Sequence, residues 1–337
     1  MTVVVVEHRG FEEHRPGSWH PERPERLEAV RAGIDLGAER DAIIRIHPRV
    51  ASRSELDRVH EPQAVDRLRE LDRTGGGEID ADTQLSAGSW AAAQLAAGAG
   101  LSAVEALATT DARAGFCAVR PPGHHATPRQ SMGFCLLNNV AVTAAHLVEQ
   151  GERVAIIDID AHHGNGTQAV FEADPRVLFV SFHQWPAYPG TGAATETGVG
   201  PGIGYTVNIP LPPGTTGDVY LRAFDELAAP ALDAFAPTWV LVSAGYDSHR
   251  LDPLTSLGLT SADHGDLVAR CTRVSTPGRF VLFLEGGYHL EALTNSVAST
   301  FEVLLESPSR PPREATTSGG PGHQVVDQLV AHRAGVT

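Results

Sequence analysis

The sequence contains no lysine, so every basic side chain other than histidine is arginine. With its many alanines and glycines, this composition is typical of a GC-rich genome. Only three cysteines occur, Cys117, Cys135 and Cys271, and they form neither a CxxC pair nor an even framework. So few cysteines favour reduced thiols, and we expect a cytoplasmic protein without structural disulfides.

Long hydrophobic runs are missing as well. No stretch approaches the ~18–20 uninterrupted apolar residues that a membrane span needs. The first residues show neither a basic region nor a cleavage site of a signal peptide. The formal net charge of −15 repels nucleic acid and mildly favours cationic ligands. We therefore expect no membrane and no nucleic-acid partner, while a homo-oligomer stays open.

Short apolar runs alternate with helical segments along most of the chain, as in a parallel sheet covered by helices on both faces. Residues 74–89, rich in Gly, Ser and Asp, predict a long loop. The expected strands are Thr2–Val6, Phe116–Val119, Val154–Ile159, Val177–Phe182, Trp239–Ser243 and Phe280–Leu284. The expected helices are one after His20, then Ser89–Leu107, Asn139–Glu149, Gly166–Phe171, Asp218–Ala234, Ala262–Arg273 and Glu291–Leu305.

The domain organisation follows from composition. No repeat or linker interrupts residues 1–306, which predict one catalytic α/β domain. Residues 307–322 are rich in Pro, Ser, Thr and Gly, which is typical of a flexible linker. In residues 323–337, Val325, Leu329 and Val330 predict a short amphipathic helix. We expect it to pack on its own domain; contact with another chain is the alternative.

Four expected strands run directly into residues that can carry out chemistry. In an open parallel sheet, ligands bind outside the carboxyl ends of the strands, so we expect these clusters to converge. They are Arg120–His125 after Phe116–Val119, Asp160–Asn165 after Val154–Ile159, Ala244–Asp247 after Trp239–Ser243, and Glu285–Tyr288 after Phe280–Leu284.

The run Asp158, Asp160 and His162 has metal-ligand character. Residues two apart in an extended chain project to one face. Together with Asp247 they offer a carboxylate and imidazole set that suits Zn²⁺, and three ligands leave an open position, as in catalytic sites. Taken alone, such a run is as often part of a solvated loop as of a metal site. The neighbouring clusters make the loop interpretation weak.

Two further motifs are weak when taken singly. His124 and His125 follow a Pro-Pro-Gly turn, and a histidine can take a proton from water and pass it to a leaving amine. A pair of loop histidines without a role is the alternative. Tyr288 follows two glycines, and its hydroxyl can donate to an oxyanion, although a packed tyrosine in a turn is the better interpretation when this motif is taken singly.

Taken in order, the motifs resemble the histone deacetylase and acetylpolyamine amidohydrolase superfamily. The form is similar to its class II branch, which includes bacterial deacetylase-like amidohydrolases. The resemblance runs from about residue 8 to 305. It is carried by residues 20–26 (HPERPER), 120–126 (RPPGHHA), 133–135 (GFC), 158–167 (DIDAHHGNGT), 243–247 (SAGYD) and 285–288 (EGGY).

The resemblance implies a single-domain arginase/deacetylase fold with a central eight-stranded parallel sheet. It implies Zn²⁺ on Asp160, His162 and Asp247, with Fe²⁺ as an alternative. The remaining roles that it implies are His125 as proton shuttle, His124 as electrostatic partner, Asp158 orienting His124, Asn165 orienting His125, and Tyr288 polarising the acyl oxygen.

A substrate tunnel and structural cations are implied in the same way. Gly133, Phe134 and Tyr188 would form the tunnel wall, Arg26 an internal channel below the metal. Backbone oxygens of Asp158, Asp160 and His162, with Ser181 and Phe182, resemble one K⁺ site. Phe171, Asp174, Val177 and Tyr205 resemble a second K⁺ site.

Two positions separate this chain from class I relatives. Asn165 stands where they carry an aspartate, and a neutral amide can fix the tautomer of His125 but not stabilise its imidazolium by charge. Glu285 stands where they carry a glycine. Both are class II traits.

The substrate class depends on Leu254. Polyamine-preferring class II relatives carry a glutamate seven residues after the metal-binding aspartate, whereas counting from Asp247 reaches Leu254. We therefore expect an acetyl-lysine peptide or protein as substrate; lacking lysine, the enzyme could not act on itself. A small-molecule deacylase is the alternative. A binding module with a dead site is disfavoured because no proposed functional residue is missing. An arginase-type dimanganese enzyme would need further metal-binding aspartates.

Overall fold

A computed structural model describes residues 1–306 and 314–333 of the chain. Eight strands in these ranges form one parallel sheet, and two form a separate antiparallel hairpin. The strands are β1 (Val3–Val6), β2 (Ile43–Ile46), β3 (Gly77–Glu78), β4 (Gln84–Leu85), β5 (Ala114–Cys117), β6 (Val154–Asp158), β7 (Val177–Gln184), β8 (Thr206–Leu211), β9 (Trp239–Ala244) and β10 (Phe280–Leu284). The order in the sheet is β2-β1-β5-β10-β9-β6-β7-β8.

Helices cover both faces of this sheet, as expected. None within the described ranges is both long and apolar enough to cross a membrane. The helices are α1 (Glu25–Gly37), α2 (Arg53–Leu56), α3 (Pro62–Arg73), α4 (Ser89–Leu107), α5 (Asn139–Glu149), α6 (Asn165–Phe171), α7 (Gly217–Ala223), α8 (Ala229–Phe235), α9 (Ser261–Arg273), α10 (Leu290–Leu304) and α11 (His323–Arg333).

Close helix packing depends on small residues. Gly33 and Gly37 of α1 lie against the backbone of α10, where a methyl group would come within 2.5 Å of Thr294 O and 2.3 Å of Ala298 O. In α4, a methyl group on Gly100 would lie 2.1 Å from Thr143 Oγ1 of α5. The small residues of α4 therefore do allow the close packing that its composition predicts.

Several elements differ from the sequence prediction. Strands β2 and β8 and helices α2 and α3 were not predicted, and residues 74–89 contain the short hairpin of β3 and β4. The single helix expected over Asp218–Ala234 is divided into α7 and α8 by a π-helical turn at Phe224–Ala228. Pro230 lacks the N–H that would continue an α-helical ladder, which accounts for the irregular turn.

The strand order decides where the site lies. β5, β10, β9 and β6 are consecutive in the sheet, and they are the four strands followed by chemically active residues. All run parallel, so their carboxyl ends meet at one edge. The expected convergence is therefore confirmed at the level of topology.

The C-terminal segment is described only in part, since residues 307–313 and 334–337 of the predicted linker and helix lie outside the described residues. Glu314 accepts hydrogen bonds from Ser261 N and Oγ at 3.1 and 2.9 Å, and Thr317 Oγ1 donates to Asp263 at 2.8 Å. Helix α11 buries Val326 and Leu329. The domain boundaries stay a prediction.

Both ring nitrogens of the buried His60 are occupied. Nδ1 lies 3.0 Å from Thr127 O and Nε2 accepts the N–H of Asn138 at 3.0 Å, so the ring is neutral. Burial lowers its pKa from 6.5 to about 4. Between these two values the unfolded chain binds a proton that the folded chain does not, so the free energy of unfolding falls as pH falls.

We expect His60→Gln to reduce this pH dependence. A single shifted group contributes at most about 1.4 kcal/mol per pH unit. Urea unfolding of the wild type and the variant between pH 6.5 and 4 measures the difference in slope. An unchanged slope would show that His60 is not neutral in the folded protein.

Candidate active site

Three predicted metal ligands meet at the sheet edge. Asp160, His162 and Asp247 each offer a ligand atom, and these atoms all lie within 4.8 Å of one another. His162 Nδ1 lies 3.1 Å from Asp160 Oδ1 and 2.9 Å from Asp247 Oδ2. Burial opposes a charge on His162, but the Asp247 and Asp160 carboxylates raise its pKa well above the usual range. The two carboxylates therefore make the cluster electronegative, and a metal ion would take the place of the proton that His162 holds between them.

The donor set fits a divalent metal. Gly286 N–H donates to Asp160 Oδ2 at 2.8 Å, and Ala161 N–H donates to Asp247 Oδ1 at 2.8 Å. Each carboxylate turns its other oxygen toward the His162 ring, and Asp160 Oδ1 also accepts the N–H of His162 at 2.9 Å. Two carboxylates and one imidazole, buried together, are a donor set that Zn²⁺ and similar ions accept.

A second cluster near the site is a poorer fit. His124, Cys135 and Glu285 also place ligand atoms within 4.8 Å of one another. Burial, aided by nearby Glu285, raises the pKa of the Cys135 thiol well above its usual value. A protonated thiol is a weak metal ligand, since the thiolate is the form that binds.

The two histidines of the pair differ in their partners. His124 Nδ1 lies 2.9 Å from Asp158 Oδ2, and its Nε2 lies 3.9 Å from Asp160 Oδ1. His125 Nδ1 lies 2.8 Å from the amide oxygen of Asn165, which can only accept. Nδ1 of His125 therefore carries the proton, and its Nε2 is free to act as a base.

Because of these partners the two rings carry different charges, although their centroids lie only 4.0 Å apart. For His124, burial is outweighed by the Asp158 and Asp160 carboxylates, which raise its pKa to about 10. For His125, burial and the positive charges of His124 and His162 lower the pKa well below the usual value. One ring is a cation and the other a neutral imidazole.

A cavity of about 220 Å³ opens beside this cluster. It brings together the predicted tunnel residues and reactive side chains from the metal and histidine groups. It is lined by Asp82, His125, Gly133, Phe134, His162, Tyr188, Leu254 and Tyr288. Tyr188 and Leu254 are exposed to 40% and 42%, which places them at the mouth.

The backbone of the tunnel wall explains the glycine at position 133. Gly133 has φ +57°, and a Cβ there would approach His125 Cδ2 to 2.5 Å. Phe134 also has a positive φ, 68°, and its N–H donates to Thr83 Oγ1 at 3.1 Å. Its ring meets Tyr288 edge to face at 5.8 Å, which narrows the cavity.

Below the cavity lies a buried ion network. Arg26 donates to Gly287 O at 2.7 Å and to Glu285 O, and its guanidinium carbon lies 4.9 Å from the centre of the Tyr288 ring. Glu22 pairs with both Arg26 and the fully buried Arg120. Arg26 thus contacts the loop that carries Tyr288. Its predicted role in an internal channel stays a prediction.

The two K⁺ sites also stay predictions. Asp158 and Ser181 are register partners of β6 and β7, while Asp160, His162 and Phe182 follow on the same two segments. At the second site, the carbonyl oxygens of Phe171 and Asp174 each already accept a backbone hydrogen bond, as does that of Tyr205. These bonds leave lone pairs, but nothing among residues 1–306 and 314–333 points to an ion at either place.

Two acidic residues of the site were not predicted. Asp82 lines the cavity mouth and lies in the segment predicted only as loop. Asp252 is 7% exposed and accepts the N–H of Tyr288 at 2.7 Å. The Gly, Ser and Asp composition of residues 74–89 gave no indication of Asp82, and no motif marks a carboxylate whose partner is a backbone amide.

Comparison with known proteins extends this description. A family model described as "Histone deacetylase domain" matches residues 20–304. A "Probable deacetylase" of Archaeoglobus fulgidus is 43% identical over 297 residues, covering 86% of this chain and 82% of the relative. A "Histone deacetylase-like amidohydrolase" of Pseudomonas aeruginosa is 36% identical over 276 residues, covering 80% of this chain and 72% of the relative.

Two further matches concern substrate and fold. The human "Polyamine deacetylase HDAC10" is 39% identical over 305 residues, covering 86% of this chain and 45% of the relative. The crystal structure of the HDA15 HD domain superposes with a TM-score of 0.89 at 35% identity, covering 99% of this chain and 94% of that one. The expected α/β fold with an eight-stranded parallel sheet is confirmed.

We expect Asp160→Asn to lose bound metal. Mutating a residue that only hydrogen-bonds a metal ligand typically lowers metal affinity about 10–100-fold. Removing a ligand itself should therefore lower the affinity further. Elemental analysis of the purified variant measures the metal content per chain. Glu285→Gln is the matched control, because the Glu285 side chain belongs to the second cluster and holds the N–H groups of Gly123 and His124 but contacts none of the three proposed ligands, so the variant should keep the wild-type content. Full metal content in Asp160→Asn with loss in Glu285→Gln would place the ion at the second cluster.

Proposed function

The chain belongs to the histone deacetylase family and is a deacetylase, and we propose that it hydrolyses acetyl-lysine in a peptide or protein with the help of a bound divalent metal. The observation that supports this most is the shared cavity, in which His125, His162 and Tyr288 meet. A neutral base, a cation-attracting cluster and a phenol at one cavity are the groups that amide hydrolysis requires.

Asp160, His162 and Asp247 would hold the metal, Zn²⁺ in our proposal and Fe²⁺ as the alternative. When bound, such an ion polarises the acyl carbonyl and lowers the pKa of water. Among the described residues, this set offers two carboxylates and an imidazole, whereas the cluster at Cys135 offers one carboxylate and a protonated thiol, which favours the first set.

His125 is the proposed base. Its Nε2 accepts a proton from the attacking water, and the same nitrogen later delivers that proton to the departing amine. The C–N bond breaks as the new C–O bond is retained, so the products are acetate and a free amine. Asn165 holds the required tautomer through Nδ1, but as a neutral amide it offers no countercharge to the imidazolium.

His124 and Tyr288 are proposed to stabilise charge. His124, a cation between Asp158 and Asp160, balances the buried carboxylates and keeps His125 neutral. Burial raises the pKa of Tyr288 well above its usual value, so its hydroxyl stays protonated and can donate to the acyl oxygen as negative charge develops.

The mouth of the cavity bears on the substrate. Leu254 offers an apolar, half-exposed side chain, which suits the neutral backbone around an acetyl-lysine. Asp82 at the same mouth favours the alternative, an acetylated polyamine, because a carboxylate attracts a distal ammonium. We favour acetyl-lysine because the Asp82 carboxylate already accepts the hydroxyl of Thr83 at 3.0 Å. It is also only partly exposed, and burial raises its pKa.

Structural K⁺ and a reducing compartment belong to the same proposal. The family resemblance supports K⁺ at the two carbonyl clusters named above. All three cysteines are free and buried in the structure, which is consistent with cytoplasm. The proposal includes no nucleic-acid partner.

Catalysis should depend on Tyr288 and His125. Removing one oxyanion donor typically costs ~10²–10³ in kcat, so we expect Tyr288→Phe to lose that much while keeping fold and metal. His125→Ala should lose more activity than His124→Ala, because only the first removes the proton shuttle. Acetate release from an acetyl-lysine peptide measures the rates.

Tyr246→Phe is the matched control for the tyrosine. Its hydroxyl lies 3.1 Å from Thr300 Oγ1, away from the cavity lining. That variant should keep wild-type kcat. Retained activity in Tyr288→Phe, or equal residual rates for the two histidine variants, would contradict the assigned roles.

Substrate preference should depend on position 254. We expect the wild type to have a higher kcat/KM for an acetyl-lysine peptide than for acetylspermidine. Leu254→Glu should shift the ratio of these two kcat/KM values toward acetylspermidine by about fivefold, because a partly exposed ion pair contributes up to about 1 kcal/mol. Leu251→Glu is the control, because Leu251 is 48% exposed in the same loop but does not line the cavity. A wild-type preference for acetylspermidine would overturn the acetyl-lysine assignment.

A further inference from the structure

Asp252 is a buried acid that the mechanism above does not use. It lies in the loop after β9, five residues beyond Asp247, and is 7% exposed. Its two carboxylate oxygens have different partners. Oδ2 accepts the N–H of Tyr288 at 2.7 Å, and Oδ1 accepts the N–H of Leu254 at 3.0 Å. One side chain thus holds the backbone of two residues that line the cavity.

The backbone before Tyr288 needs such an anchor. Gly286 and Gly287 precede it, and Gly287 has φ +113°, a conformation that glycine adopts readily and other residues rarely do. A Gly-Gly segment does not by itself fix the direction of the side chain that follows. Gly286 N–H is held by Asp160, and Tyr288 N–H is held by Asp252. The backbone is therefore held on both sides of Gly287, and this fixes the direction of the Tyr288 side chain and its hydroxyl.

The loop that carries Asp252 is itself braced. Asp252 N–H donates to His249 O at 2.8 Å. The His249 ring lies 2.9 Å from a carboxylate oxygen of Glu314, and Thr255 Oγ1 donates to Asp247 O at 2.5 Å. Both ends of the loop are thus held by hydrogen bonds, so the Asp252 carboxylate is fixed in position when it accepts its two amide N–H groups.

We propose that Asp252 is a positioning residue of the deacetylation reaction. Its carboxylate sets where the Tyr288 hydroxyl lies relative to the reacting carbonyl and where Leu254 lies at the mouth. The proposal rests on the proposed role of Tyr288, and it adds a link between the catalytic tyrosine and the substrate entrance. Asp252 is not among the residues that line the cavity, so it acts through the two amides.

The variants Asp252→Asn and Asp252→Ala should give graded losses. Asparagine keeps one acceptor oxygen and alanine keeps none. A misplacement of about 1 Å can cost ~10² in rate, so we expect kcat to fall about tenfold in Asp252→Asn and about 100-fold in Asp252→Ala. KM for an acetyl-lysine peptide should rise in both because Leu254 loses its anchor, while metal content should stay at the wild-type level.

A double-mutant cycle tests whether Asp252 acts through Tyr288. Adding Asp252→Asn to Tyr288→Phe should lower kcat by less than about twofold further, because the hydroxyl that Asp252 positions is already gone. If the loss of kcat in the double variant equals the product of the losses in the two single variants, the proposal is overturned. Asp252 would then act on another part of the site, such as Asp247.

Amide hydrogen exchange provides a readout without activity. Exchange in the peptides containing Tyr288 and Leu254 should accelerate in both Asp252 variants. Asp263→Asn is the matched control: Asp263 is also buried and accepts the backbone N–H groups of Thr260 and Thr317, away from the cavity lining. It should lower stability without changing kcat or exchange at Tyr288.

The outcomes separate this proposal from the proposed function. Unchanged exchange at Tyr288 in Asp252→Ala would overturn the positioning role even if the enzyme deacetylates peptides as expected. Full activity of Tyr288→Phe would overturn the mechanism instead, and the exchange result would then show an anchored tyrosine without catalytic use.

Discussion

The site depends on one repeated interaction, a buried carboxylate that accepts a backbone N–H from a neighbouring loop. Asp160 of the β6 loop holds Gly286 after β10, and Asp247 of the β9 loop holds Ala161 after β6. Glu285 after β10 holds Gly123 and His124 after β5 at 2.7 and 3.2 Å. Asp252 adds a link from the β9 loop to Tyr288. Each bond ties the ends of two strands, so the loops of four consecutive strands form one rigid unit.

This arrangement concentrates negative charge where water is excluded. An ionised carboxylate buried without partners costs several kcal/mol, which backbone donors and cationic groups must offset. The structure supplies His124 as such a cationic group, and the negative charge left on Asp160 and Asp247 would favour a metal ion with a neutral His162 as third ligand. His125 is the exception, because it faces the amide of Asn165 rather than a carboxylate. The same electrostatics therefore place a candidate cation site beside a neutral imidazole.

Much of the site follows from the sequence because its residue types are informative. Asp158, Asp160 and His162 lie at every second position at the end of a strand, and parallel strands bring such ends together, so the candidate ligand cluster and its edge of the sheet are predictable. Strands β2 and β8 were missed; β2 is only partly buried, and β8 contains Asn208 and Pro210 within its apolar run. Asp82 and Asp252 were missed because their partners or positions depend on loop geometry, which leaves no pattern in the sequence. Leu254 reaches the mouth as the family resemblance implies.

The central claim is that one metal ion, held by Asp160, His162 and Asp247, supports deacetylation. Titration of Zn²⁺ into chelator-treated protein tests it most directly, with acetate release from an acetyl-lysine peptide as the signal. The account predicts negligible release without metal and a linear rise that ends at one equivalent per chain. Full activity without metal, or a rise that ends at two equivalents as in a dinuclear enzyme, would contradict it.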